Sequence, residues 1–361
     1  PGGFWVMKKT ILAAAALGVG ATAASAGGLE RTPQSMAVLF EEGRYLELSF
    51  AYVSPDVSGI NVGDSGNMLE SYANFGISYK ADLNEKLSYA FIIDQPYGAN
   101  TNYAVGTTNA FAGAVAEVKS NALSSVLQYN IGNGASIYGG LRAQTLQASA
   151  SLPLPGGYTI DSNTDYALGY LVGAAYERPD IALRVALTYH SETSHDLDLT
   201  EIGPLGTSER TDEVKLPQAL NLDFQSGVAE DTLVFGSIRW VEWSETVINP
   251  LQYSSLPFPR PLVFFEDDRI TYTLGVGRRL NDTWSLLGSI GYEETTGSVT
   301  GNLGPVDGFT SFSVGAVYTK DNMKVTGGIR YADIGDATSF SGATFTDNSA
   351  IAAGVRVGWS F

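Results

Sequence analysis

Long stretches of the chain alternate apolar and small or polar residues with period 2. Leu46, Leu48, Phe50 and Tyr52 alternate with Glu47, Ser49 and Ala51. Ala73, Phe75, Ile77 and Tyr79 alternate with Asn74, Gly76 and Ser78. The same holds for Ile270, Tyr272, Leu274 and Val276, and for Phe312, Val314, Ala316 and Tyr318. A strand places successive side chains on opposite faces, so each stretch predicts a strand with one apolar face. Fourteen such segments are counted, near 44–54, 68–80, 86–94, 114–129, 135–151, 158–177, 180–190, 209–226, 231–247, 264–279, 283–296, 307–320, 322–335 and 347–361.

The connections alternate in length. Tight ones fall at Ala81–Glu85, Asn130–Gly134, Arg178–Pro179, Gly227–Glu230, Leu280–Asp282 and Lys320–Asn322. Long ones fall at Pro55–Asn67, Gln95–Gly113, Ser191–Ser208, Ile248–Val263 and Gly297–Val306. Hairpins that cross an outer membrane show this alternation of short periplasmic turns and long outer loops. The expected fold is all-β, a 14-stranded antiparallel transmembrane β-barrel in the bacterial outer membrane. Tyr79, Tyr129, Tyr176, Phe224 and Tyr318 sit near short turns on the outward face and would form an aromatic girdle. A soluble sandwich would leave the same apolar faces open to aggregation. The ending Val355-Arg356-Val357-Gly358-Trp359-Ser360-Phe361 resembles the signal read by the outer-membrane assembly machinery, with Phe361 as its last residue.

Ahead of the barrel, Met7–Ala26 has a basic start at Lys8 and Lys9, an apolar run from Ile11 to Val19 and an Ala24-Ser25-Ala26 cleavage site, the pattern of a signal peptide. Residues 1–6 precede Met7 and read as an artefact or a mis-assigned start. Residues 27–43 fit no strand and are expected to fold into the lumen as a short N-terminal plug, with the barrel spanning 44–361.

Composition narrows the chemistry. A net charge of -17 argues against nucleic-acid partners. The absence of cysteine removes disulfides and cysteine-based zinc sites. His190 and His195, with Glu192, Asp196 and Asp198, have no recognised zinc spacing, so neither metal nor cofactor is expected. His190 and Ser191 point to opposite faces of a strand, and neither a Gly-x-Ser-x-Gly elbow nor a phosphate loop occurs, so no enzyme is expected.

Leu216-Pro217-Gln218-Ala219-Leu220, followed by Leu233 to Trp243-Ser244, resembles the FadL/TodX family of outer-membrane transporters for long-chain fatty acids and other hydrophobic molecules. Tyr272–Gly277 and Gly327-Gly328-Ile329-Arg330-Tyr331 extend the likeness. The family's hatch is longer and carries an Asn-Pro-Ala motif; here the only Asn-Pro is Asn249-Pro250, which suggests a short-hatch branch. The resemblance implies passive diffusion of a hydrophobic ligand from the outer loops into the barrel and sideways through its wall, where the third strand kinks. Gln95, Pro96, Tyr97 and Gly98 are the corresponding candidate gate, since Pro96 lacks a ladder donor and Gly98 frees the backbone. An ordinary strand end at Asp94 is the competing reading.

Parity turns Arg142, Arg184, Arg239 and Arg330 into the lumen, where a carboxylate ligand would find a guanidinium partner. Inward Glu47, Asp165, Asp223 and Glu245 could equally pair with them. Leu29, Met36, Leu39 and Phe40 are candidate apolar ligand contacts. The apolar stretch Leu251–Phe265 suits a groove for lipid. Expected partners are the hydrophobic ligand, outer-membrane lipids and lipopolysaccharide, for a chain acting as a monomer. The alternatives are a general aqueous porin for small polar solutes and, more weakly, an adhesin.

Overall fold

The computed structural model describes residues 28–256 and 260–361. The signal-peptide reading at 7–26, the start-site reading at 1–6 and residues 257–259 of the apolar stretch Leu251–Phe265 lie outside the described residues.

Fourteen strands close into one antiparallel barrel. They are β1 (Tyr45–Asp56), β2 (Tyr72–Asp82), β3 (Leu87–Asp94), β4 (Ala122–Gly132), β5 (Ala135–Leu152), β6 (Asp165–Arg178) and β7 (Leu183–His190). They continue as β8 (Ala219–Ala229), β9 (Thr232–Val241), β10 (Arg269–Arg279), β11 (Trp284–Glu293), β12 (Phe309–Lys320), β13 (Met323–Ile334) and β14 (Asn348–Ser360). Each pairs with its neighbour in sequence, and β14 closes on β1 from Tyr45–Ser360 to Asp56–Ser349. Closure pairs the strand edges around the barrel, the condition for a sheet to cross a bilayer, except over the upper part of β2 and β3 described below.

The alternation read from the sequence becomes the two faces of the wall. Phe50, Phe75, Ile137, Leu141, Leu187, Leu274, Ile290, Val314 and Ile329 are exposed on the outer face. Arg142, Gln144, Arg184, Thr188, Asn221, Arg239, Ser313 and Arg330 are buried toward the lumen. Near the short turns Tyr129, Tyr176 and Trp284 face outward, with Tyr318 packed on Trp284 at 5.0 Å. Toward the opposite rim Tyr52, Tyr170, Tyr272, Tyr292 and Tyr331 do the same. Two aromatic belts therefore flank an apolar band.

Three expected segments end differently because the chain outruns the membrane. The segment 114–129 divides into an outer strand, Val115–Lys119, and β4; 158–177 divides into Tyr158–Ser162 and β6. The segment 209–226 divides at Pro217, with Gly206–Leu216 belonging to an outer hairpin with Thr193–Gly203. Strands 98–102, 115–119, the end of β5, 158–162, 193–203 and 206–216 form a continuous outer sheet. Beyond the hydrocarbon both faces of these strands touch water or other loops. The apolar-outward constraint that marks the barrel strands is lost there.

Candidate functional site: a lumenal segment, an outer groove and a window in the wall

Residues 28–43 run inside the barrel. The lower end is fixed at the periplasmic rim. Lys80 Nζ donates to the Glu41 carbonyl at 2.7 Å, Lys324 pairs with the Glu41 carboxylate at 2.8 Å, and Gly43 N–H donates to Asp82 at 3.0 Å. A short turn, Ala37–Phe40, buries Val38 and Leu39 with Met36 against Tyr45, Ala90, Ile92, Val126, Tyr138 and Leu171. Its upper part is held by polar side chains of the wall. Asn221 Nδ2 donates to the Pro33 carbonyl at 3.0 Å and Asn74 Nδ2 to the Arg31 carbonyl at 2.8 Å.

The four lumen arginines engage this segment or the wall. Arg239 Nε donates to Glu30 at 2.7 Å, and its Nη1 to Asn221. Arg142 donates to Gln34, whose own amide donates to the Tyr97 hydroxyl at 3.1 Å. Arg184 lies over the Phe40 ring at 4.6 Å and donates to Gln225 at 3.0 Å. Arg330 donates to Ser313 at 2.9 Å. Of the acids read as inward, Glu47 pairs with Arg356 at 3.2 Å and Asp165 with His195 at 3.1 Å, while Glu245 is exposed in a turn.

At the outer end lies a groove of about 1000 Å³, counting its open mouth. Leu69, Ala116, Val118, Leu262, Phe264, Phe265, Val299 and Val306 give it an apolar lining, and Leu29 and Arg31 reach it from the lumenal segment. Leu29 is the one member of the apolar quartet that lines it. Met36, Leu39 and Phe40 lie lower, with Leu39 and Phe40 bordering an open vestibule at the periplasmic end. The loop from Ile248 is closed by reciprocal backbone bonds to Val263 (2.9 and 3.1 Å), which set Leu262–Phe265 against the groove. Its short helix, Leu251–Ser255, is capped by the buried Glu201 carboxylate, which accepts from Gln252 N–H at 3.0 Å and Tyr253 N–H at 3.2 Å. Burial pushes the Tyr253 phenol up to about 12. Neither arginine of the outer groove was singled out in the sequence: Arg31, and Arg269, which pairs with the fully buried Asp307 at 2.7 Å.

The wall is interrupted below the groove. β2 and β3 are paired only from Asp82–Ser88 up to Ile77–Ile93. Above that rung the chain after Asp94 leaves β2. Arg31 N–H donates to the Pro96 carbonyl at 2.8 Å, and Gly98 N–H donates to the Leu29 carbonyl at 2.8 Å. Residues 96–98 thus exchange a wall partner for the lumenal segment. The two walls meet again higher up, where Glu70 N–H donates to Asn100 O at 3.0 Å and Asn102 N–H to Met68 O at 2.8 Å. Between these rungs is a window framed by residues 72–76 on one side and 94–99 on the other. A cavity of about 920 Å³, counting its open mouths, joins inward Glu47, Ser49, Asn74 and Asp94 to lipid-facing Phe50, Phe75, Ile93 and Val355. Arg31 and Gly98 line the outer groove, and Arg31 lines the window cavity too. The Arg31 guanidinium lies 4.1 Å over the Tyr72 ring and donates to Asn100. An aromatic row, Phe265–Trp243–Tyr97 with centroid spacings of 5.0 and 5.4 Å, runs from the groove to the window segment.

The chain matches the model of the outer membrane protein transport protein family (OMPP1/FadL/TodX) over residues 2–338. It belongs to the FadL/TodX family. Its members are transporters of hydrophobic compounds, and the barrel places this one in the bacterial outer membrane. Solved structures agree in fold. A Pseudomonas aeruginosa FadL homologue is 13% identical with a TM-score of 0.77, over 95% of this chain and 98% of that one. The Pseudomonas putida toluene transporter TodX is 13% identical with a TM-score of 0.67, over 95% and 97%. The Ralstonia pickettii toluene transporter TbuX is 16% identical with a TM-score of 0.64, over 96% and 97%. No curated protein matches the chain in sequence.

Proposed function

We propose that this FadL/TodX-family protein carries long-chain fatty acids or similar hydrophobic molecules, by passive diffusion from the outer groove sideways through the wall. The observation that carries the reading is the shared lining of groove and window: Arg31 borders both, and Leu29 and Gly98 meet between them. Transfer of an alkyl chain from water to the groove is favourable by about 0.8 kcal/mol per buried CH₂. A lateral exit at the Gln95–Gly98 segment keeps that gain, because the tail passes from apolar lining to lipid without a return to water.

In this reading residues 28–43 act as the plug. Arg142 and Arg239 latch it through Gln34 and Glu30, and Arg184 steadies Phe40. Leu29 with Arg31 meets the ligand, the Arg31 guanidinium favouring a molecule with an anionic head, while Arg269 is held by Asp307. TodX and TbuX are toluene transporters, so neutral aromatics are the second ligand class to compare. The chain works as a monomer among outer-membrane lipids and lipopolysaccharide, delivered by the assembly machinery through its Phe361 ending.

The test is uptake of radiolabelled oleate, toluene and a small sugar in cells lacking their own transporters. Oleate uptake without sugar entry is expected. Sugar flux without gain of either hydrophobic solute would return the chain to the porin alternative.

A further inference from the structure

At the window the backbone of β2 has lost its ladder partner, yet one of its donors is satisfied in an unusual way. Phe75 N–H donates to the Gln95 side-chain Oε1 at 3.0 Å. The same amide turns its Nε2 to the other side and donates to Asn121 Oδ1 at 3.3 Å. Asn121 directly precedes β4 and is tied to β5, its N–H donating to Thr145 Oγ1 at 3.1 Å while its carbonyl accepts from Thr145 N–H at 2.8 Å. One side chain therefore spans from β2 toward the firmly anchored start of β4, at the level where the β3 backbone turns inward.

We propose that the Gln95 amide is the bar of this window: a positioning residue that replaces the missing ladder and sets how wide the opening stands. This rests on the lateral-exit reading above. A primary amide suits the task because it presents an acceptor to Phe75 N–H and a donor to Asn121 within one planar, uncharged group. Both bonds join uncharged groups, so each is weaker than a charge-assisted pair at the same place would be. A passing alkyl chain can displace them without leaving a charge in the bilayer, and they re-form behind it. A carboxylate or guanidinium at the same place would cost far more to expose to lipid. Gln95 meets β2 at Phe75, and Arg31 stacks on Tyr72, three residues further toward the outer end.

The test uses the absence of native cysteine. Ser49 is an inward residue of β1 that lines the window cavity. Ser49→Cys is prepared in the full chain, alone and with Gln95→Leu or Gln95→Glu, and placed in phosphatidylethanolamine/phosphatidylglycerol vesicles. The rate of labelling by N-hexadecylmaleimide held in the bilayer is then read. Gln95→Leu, which breaks both bonds, should raise the labelling rate about tenfold. Gln95→Glu keeps the acceptor for Phe75 and should fall between. Equal rates for all three proteins, with unchanged circular dichroism and melting, would overturn the bar. Labelling reads entry from the bilayer and needs no uptake from the outer groove, so it is separate from the transport reading. If the three rates rank as expected while oleate uptake is absent, the bar stands and the transport reading fails.

Discussion

The wall at β12–β13 and the wall at β2–β3 solve the same problem in different ways. From Phe309–Ile334 to Lys320–Met323 the first pair runs without a break, every rung supplied by the neighbouring backbone. The second pair stops at Ile77–Ile93, and the groups above it are met by a side chain, Gln95, and by the lumenal segment at Leu29 and Arg31. An unpartnered backbone group in hydrocarbon costs several kcal/mol. A window in a barrel is therefore stable only if something inside the barrel takes over the bonds. Here the lumenal segment that fills the lumen also holds the window in shape, so filling and opening are one structure.

That comparison is broken most strongly at Arg239. Its guanidinium is buried and pairs with the partly buried Glu30, within the Leu29–Arg31 stretch that carries the window segment. Removing one partner of a buried pair costs about 3 kcal/mol, so Arg239→Met should speed hydrogen exchange across 29–35 about a hundredfold while β12–β13 stays protected. Equal exchange in wild type and variant would mean that the pair does not hold the segment.

The next effect separates the two walls by their glycines. A Cβ at Gly140 in the regular wall would stand 2.1 Å from the Ser125 carbonyl oxygen, a backbone atom with no room to move. Gly140→Ala should lower barrel stability by about 1–3 kcal/mol in detergent denaturation. At Gly98 the added Cβ meets the Arg31 side chain at 2.5 Å, the far end of a flexible group. Gly98→Ala should leave denaturation unchanged and displace Arg31 from Tyr72, which a shift in ligand binding at the groove would report.

The smallest effect belongs to the outer hairpin, remote from both. Burial lowers the affinity of His195 for a proton below its usual value of 6.5, although Asp165 pulls the other way. The folded hairpin thus holds fewer protons than the unfolded chain. Its stabilisation is complete above that usual value and is lost as pH falls toward the depressed one. Protection of the 193–203 amides, corrected for the slowing of intrinsic exchange with acid, should fall as pH drops below about 6.5, with no matching change in the barrel.

The fourteen crossings were legible because lipid imposes one rule on every strand: apolar outward, at every second residue. Where that rule lapses, the reading blurred. Glu209-Arg210-Thr211-Asp212-Glu213 forms part of an outer strand with neither face apolar, and its first residues fell at the edge of a presumed crossing. The inward direction of Arg142, Arg184, Arg239 and Arg330 followed from parity, but parity is silent on what a side chain meets in the lumen. Gln34 and Glu30 come from a segment without periodicity. Arg31 and Tyr72 likewise meet only because the window brings them together, and Trp243 was visible as part of a motif without its place between Tyr97 and Phe265.

If ligand leaves through the window, tying the window shut stops transport. Phe75 and Asn121 flank the Gln95 amide from opposite sides and are both exposed. A Phe75→Cys/Asn121→Cys chain, bridged by a reducible thiol-specific cross-linker, would close the opening in a protein with no other cysteine. Oleate uptake should fall on bridging and return on reduction, while oleate still binds the outer groove. Uptake that continues at the same rate through the bridged barrel would contradict exit through the window.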